Sequence, residues 1–356
     1  MSLSHPPKSP LPDLPRTAPG VPARRPAVLL VTAFRLAVTL ILLAASPLTG
    51  QAQEIYLLGG LLQNANDGKD SYAWQLEYIE GLGENFGLGI SYLNEGHVPG
   101  HHRDGNTVHL WARTNLLDRR LSLAAGIGPY YYYDTLPAKA GTSYQNDHGW
   151  GAIFSSAVTW YTDSRWLFQL RANVVDNFTT FNSFSALVGI GYQLEAPPVP
   201  GPVDKAPLQD QEKAKNELSL LVGQTIVNSL ESQKSVALAA EYRRRVWRYV
   251  DWSAAWLYEG DNRLFRRHGL ASQLWGIREF FDDRFSVGIG GGAYFPISMR
   301  PASHRFGVDR SVCGIATLTT SYRVLPGLDA RVSWNRIITD YNHDTDVILG
   351  GIGYRF

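Results

Sequence analysis

The residues Glu95-Gly96-His97-Val98-Pro99-Gly100-His101-His102-Arg103-Asp104-Gly105 place three imidazoles and two carboxylates within one short polar stretch. Neutral imidazole with carboxylate is a zinc-ligand chemistry. The chain repeats this stretch as Glu259-Gly260-Asp261-Asn262-Arg263-Leu264-Phe265-Arg266-Arg267-His268-Gly269. There the three histidines become Asp261, Phe265 and Arg266, so no metal set is shared. Glu, Gly, Arg and Gly persist, a pattern that predicts a loop held by a Glu–Arg pair. The cluster Arg263, Arg266 and Arg267 offers guanidinium groups to phosphates, which they would grip in bidentate fashion. A third polar group, Asp340, His343, Asp344 and Asp346, sets an imidazole near carboxylates in a solvated loop.

The elements that carry these residues read as strands. Tyr72, Trp74, Leu76 and Tyr78 alternate with Ala73, Gln75 and Glu77, giving one aromatic and apolar face and one small or polar face. That alternation fits strands with a lipid side and a lumen side, and places Gln75, Glu77, Arg171, Glu241 and Arg243 toward the lumen. Connections alternate between tight turns, as at 83–85, 117–119 and 163–164, and longer polar stretches, as at 64–69, 95–105, 134–149 and 176–183. Short periplasmic turns and long external loops have this phase. Tyr130-Tyr131-Tyr132-Tyr133 sits where an external aromatic girdle belongs. Arg243-Arg244-Arg245-Val246-Trp247-Arg248 falls at a periplasmic turn, where arginines snorkel beside aromatic anchors or meet a periplasmic partner.

Residues 91–130 align without gaps on 255–294, and Leu93, Glu95, Gly96, Arg103, Gly105, Leu110, Trp111, Asp118 and Tyr130 are among the identities. Gly189-Ile190-Gly191-Tyr192 recurs as Gly351-Ile352-Gly353-Tyr354. The chain is therefore a tandem duplication, 53–194 and 217–356, each copy yielding about eight strands of the ~10 residues that cross a bilayer at a tilt. Residues 195–216, with Pro197, Pro198, Pro200, Pro202 and Pro207, read as a Pro-rich periplasmic linker.

Composition agrees. Charged residues are 18% of the 356, against about a quarter in ordinary soluble domains, while there are 10 Trp, 18 Tyr and 34 Gly. The lone Cys313 excludes a disulfide framework and reads as a small packed side chain. Residues 1–52 hold five Lys/Arg and one Asp, so the rest carries 28 basic and 31 acidic residues. Nothing there suggests nucleic acid. Arg24, Arg25 and Arg35 precede an apolar core at 36–45, and Gly50-Gln51-Ala52 provides small residues for cleavage, so 1–52 reads as a signal peptide.

Two closures satisfy this pattern. One is a transmembrane antiparallel up-and-down β-barrel of about sixteen strands; the other is two separate eight-stranded barrels. Sixteen strands leave an aqueous channel, eight leave an interior filled by side chains. The chain ends in Phe356, which resembles the terminal aromatic of outer-membrane β-barrel proteins and would direct assembly machinery, whereas the first copy ends in Leu194. That asymmetry favours a single closure.

Trp334-Asn335-Arg336 and the terminal Gly353-Tyr354-Arg355-Phe356 give the last ~25 residues a resemblance to lipid A deacylase-like (acyloxyacyl hydrolase-like) barrels. The resemblance implies a His two residues before a nucleophilic Ser on the penultimate strand. This chain has Ser333-Trp334-Asn335-Arg336 there and Asn173-Val174-Val175-Asp176-Asn177 in the first copy, so the motif is missing from both. The expectation is an integral protein of a Gram-negative outer membrane. It would be a porin-like conduit for small solutes or an exported polysaccharide, with a lipid-modifying enzyme or a structural or adhesive barrel as alternatives. Its partners would be outer-membrane lipids, lipopolysaccharide, the assembly machinery and a periplasmic export component, and no cofactor is called for.

Overall fold

In a computed structural model the described residues are 53–137, 144–194, 201, 215–262, 264–281, 283–301 and 312–356, with side chains described to 297 in the segment that ends at 301. The leader, most of the linker and Arg263 lie outside them. All the regular structure is β. The first copy contains β1 (Gln53–Asn64), β2 (Asp70–Gly81), β3 (Phe86–Val98), β4 (His101–Leu116), β5 (Leu121–Pro137), β6 (Tyr144–Tyr161), β7 (Trp166–Asn177) and β8 (Ser183–Gln193). The second contains β9 (Asn216–Val227), β10 (Lys234–Trp247), β11 (Val250–Asp261), β12 (Phe265–Phe280), β13 (Phe285–Pro301), β14 (Cys313–Leu325), β15 (Leu328–Ile338) and β16 (Thr345–Arg355).

Each copy closes on itself. β1 pairs antiparallel with β8, Leu57 opposite Ile190, and β16 pairs with β9, Ile348 opposite Gln224. The result is two eight-stranded barrels. This decides against the single sixteen-stranded closure that Leu194 seemed to favour. The Leu194 amide instead donates to the Gln53 carbonyl at 2.8 Å, so the first barrel seals without a terminal aromatic. Every strand edge finds a partner within its own copy, which hydrocarbon demands.

The alternation turns the barrels inside out relative to soluble domains. Leu61, Leu170 and Val188 point outward and are 72%, 60% and 60% exposed, while the interior positions are polar and buried. Close strand approach needs glycine at matched sites. A Cβ on Gly128 would lie 1.9 Å from the Val108 carbonyl, and one on Gly292 would lie 1.9 Å from that of Ser272.

Outward apolar positions are not uniformly exposed. On β7 and β8 they are bare, whereas on β2 and β3 of the first barrel and β13 and β14 of the second they are half covered, as at Leu76, Ile90, Ile289 and Leu318. The barrels touch beside these faces. Tyr92 on β3 packs edge-on against Trp334 on β15 with centroids 4.4 Å apart, and nearer the turns that hold the chain ends Arg278 Nη2 on β12 donates to Glu80 on β2 at 2.8 Å.

Candidate functional site: the barrel mouths and the crevice between them

The repeated Glu and Arg sit inside the mouths, on strands. Residues 95–105 are a β-hairpin with a two-residue turn at Pro99-Gly100, and 259–261 and 265–269 belong to β11 and β12, so the polar stretches are strand rather than the loop their polarity suggested. The positive φ of Gly96 and Gly260 lets each strand bulge beside the glutamate. Arg103 Nη2 donates to Glu95 Oε1 at 2.8 Å, with a second short contact from Nε. Arg267 repeats this with Glu259 at 2.5 Å from both Nε and Nη2.

The duplication extends further than the sequence showed. Tyr130 donates to Glu95 at 2.8 Å, and its counterpart Tyr294 is equally buried. Ser183 donates to Glu95, and Thr345 to Glu259 at 2.7 Å. The carbonyl of Phe181 accepts from Arg103 Nη1, and the carbonyl of His343 from Arg267 Nη1 at 3.2 Å. Each buried ion pair thus fastens the last outer connection of its barrel down over the mouth. Only the spacing of the GIGY repeat could have flagged Ser183 and Thr345, which share its offset. Arg267, wholly buried, is unavailable to lipopolysaccharide phosphate; Arg266 points outward and is exposed.

Gln75, Glu77, Arg171, Glu241 and Arg243 do face the interiors, where they are bonded to one another and to their neighbours. Glu77 pairs with Arg171 and accepts from Trp111 Nε1 at 3.0 Å, with His109 Nδ1 3.3 Å away. Gln75 donates to Ser91 at 2.8 Å and accepts from Asn173 at 3.1 Å. Below them Glu54 accepts from Tyr56 at 2.7 Å and Tyr161 at 3.0 Å. In the second barrel Glu241 accepts from Arg243 at 2.9 Å and Arg331 at 2.7 Å, and Arg331 also pairs with Glu217. The Thr317 hydroxyl lies 2.9 Å from both the Gln273 and the Asn335 side-chain amides and bonds between them. Buried charges persist in such surroundings only when paired and hydrogen-bonded.

The basic run at 243–248 divides. Arg243 and Arg245 point inward, Arg245 pairing with Glu279 at 3.1 Å, while Arg244, Val246 and Trp247 face outward. The tyrosine run also divides: Tyr130 and Tyr132 fill the lumen, and Tyr131 and Tyr133 face out, so half of the expected girdle is interior packing. Strand alternation explains both.

Between the barrels, at the end of the loops, lies a polar crevice of about 190 Å³ lined from both copies. Arg336 on β15 is its central cation. It donates to Asp104 on β4 at 3.0 and 2.7 Å and to Asp346 on β16 at 2.7 and 2.9 Å. Tyr133 lies under the guanidinium at 4.6 Å. Asp344 is buried rather than solvated: it accepts from the Thr339 amide at 2.7 Å and meets His148 of the other barrel at 2.5 Å. Burial acts to raise its pKa, but the His148 ring and the Thr339 hydrogen bonds outweigh that and hold it below the usual 3.8. His343 turns away, its Nδ1 2.8 Å from the Tyr341 carbonyl, so His343 and Asp344 form no catalytic pair. His101 turns to Asp134 at 2.6 Å, whereas His97 and His102 lie against each other, so the three histidines do not converge.

No protein-family model matches the chain, and no curated protein shows significant sequence similarity to it. Among solved structures it is similar to the N-terminal β-barrel domain of Pseudomonas aeruginosa OprF, at 11% identity over 40% of this chain and 98% of that one, with a TM-score of 0.32. It is similar to Ail, the attachment invasion locus protein of Yersinia pestis, at 10% identity over 40% and 97%, with a TM-score of 0.31. A Pseudomonas aeruginosa FadL homologue is covered to 90% by 86% of this chain, at 8% identity and a TM-score of 0.23. Closed antiparallel barrels, an apolar exterior and a paired polar interior make this chain an integral outer-membrane β-barrel protein built as two barrels in one polypeptide.

Proposed function

We propose that the protein works at the outer face of the membrane as a recognition scaffold, two plugged barrels holding a polar crevice between them. The observation that carries this reading is the filling of both lumens by mutually bonded side chains, Glu95–Arg103 above Glu77–Arg171 in one and Glu259–Arg267 above Glu241–Arg331 in the other. A wide solute path depended on sixteen strands around one lumen, and eight-stranded interiors are occupied by side chains. The deacylase alternative lacks support as well, since Ser333 faces the lumen and bonds Thr319 at 2.9 Å, and among the described residues no imidazole is hydrogen-bonded to it. A nucleophile needs its base within hydrogen-bond reach. The partners this reading calls for are envelope components at the cell surface, lipopolysaccharide among them. Planar-bilayer recording of the refolded mature protein tests it. The expected record shows no porin-sized steps, and stable large steps in the wild type would overturn the reading.

A further inference from the structure

We infer that the inter-barrel crevice is a binding site for a neutral sugar unit, one residue of a surface glycan; this rests on the recognition reading above and names its ligand class. Three observations lead there. First, the guanidinium groups that line the crevice, Arg336 and Arg103, are consumed by carboxylates. Arg336 spends four hydrogen bonds on Asp104 and Asp346, and Asp344 is held by Thr339 and His148. Among the described residues that line the crevice, no guanidinium remains free to grip a phosphate or carboxylate. Second, the residues lining the crevice include buried polar atoms that have no hydrogen-bond partner. The Ser229 hydroxyl and the Asn228 side-chain amide are such atoms, both on the turn between β9 and β10, and Asp134 Oδ1 is a third. A buried polar group left unpaired costs about 1–3 kcal/mol, so these atoms favour a guest that supplies partners.

Third, the set asks for hydroxyls. Asp134 Oδ1 accepts, Asn228 Nδ2 donates, and the Ser229 hydroxyl does either, which a vicinal diol answers because each hydroxyl both donates and accepts. The turn is anchored to the other barrel through its backbone, Asn146 Nδ2 donating to the Asn228 carbonyl at 2.9 Å. Side-chain changes at Asn228 and Ser229 therefore leave that anchor and the Arg336 pairs intact. The volume is that of roughly six waters at about 30 Å³ each, enough for one pyranose ring but not two.

The test is isothermal titration of the refolded full-length mature protein in a detergent without a sugar headgroup. The probes are D-glucose, D-galactose, D-mannose and inorganic phosphate. The expected result is saturable millimolar binding of at least one of the sugars and none of phosphate, with Kd raised about tenfold by Ser229→Ala and by Asn228→Ala, as loss of one hydrogen bond to a bound ligand predicts. Heat-modified gel mobility equal to wild type establishes that both variants are folded. Absence of sugar binding, binding of phosphate instead, or sugar binding unchanged in both variants would each overturn the proposal. Conductance reports on the plugs and titration on the crevice, so the two readings fail separately.

Discussion

Replacing Arg103 with Met removes the donor that holds Glu95, the Phe181 carbonyl and Ser183 together in the mouth of the first barrel. Glu95 then stays fully buried, with only the Tyr130 and Ser183 hydroxyls to solvate its charge. Breaking a buried pair from one side costs about 3–5 kcal/mol, because an uncompensated charge remains. That is a large share of the roughly 5–15 kcal/mol that stabilises a typical fold. Removing both charges, as Glu95→Met with Arg103→Met, leaves only neutral groups with lost partners, so the double variant should be no less stable than Arg103→Met alone. The coupling should then be at least about 2 kcal/mol, within the span seen for contacting pairs. Arg267→Met should reproduce the single effect in the second barrel, and the two arginine changes should add, since they sit in separate barrels. Urea unfolding in detergent micelles, followed by tryptophan emission and by gel mobility, measures all six proteins, wild type and Glu95→Met alone included, since the coupling needs both single variants. A single-variant loss below about 1 kcal/mol, or a double variant that costs the sum of its parts, would refute the claim that these pairs fasten the mouths.

Other outcomes follow from the crevice and the strand contacts. Arg336→Ala leaves Asp104 and Asp346 facing each other and should weaken the union of the barrels by about 3 kcal/mol, splitting one unfolding transition into two in calorimetry. Asp344, with its folded pKa depressed, contributes stability that is present above its unfolded value of 3.8 and lost as pH falls through the lower folded value. The urea midpoints of wild type and Asp344→Asn should therefore differ above pH 3.8 and converge well below it. A Cβ at Gly128 meets the Val108 carbonyl, so Gly128→Val should prevent closure of the first barrel, read as loss of heat-modifiable mobility; the counterpart at Gly292 should do the same to the second.

Much of the fold was legible because strands announce themselves by a period of two. Tyr72, Trp74, Leu76 and Tyr78 stand on one face of β2 and Gln75 and Glu77 on the other, buried one, as a period of two requires. The same rule, applied residue by residue, would have divided Tyr130 to Tyr133 and Arg243 to Arg248 between faces; reading each run as a block lost that. Loop boundaries failed for a related reason. Polarity in 95–105 marks residues beyond the hydrocarbon, yet β3 and β4 continue there as a hairpin, since backbone pairing does not stop where lipid does.

The sequence by itself determined the strands, their faces, the duplication and the Glu–Arg pairs, because each is a local or repeated pattern. Closure is a different kind of fact. Whether β8 returns to β1 or passes to β9 leaves every side-chain alternation unchanged, so only the paired backbones, Leu57 with Ile190 and Ile348 with Gln224, decide it. The crevice is likewise tertiary: Asp104 and Arg336 lie 232 positions apart in the chain, and nothing in either segment reveals that two separately closed barrels bring them to 2.7 Å.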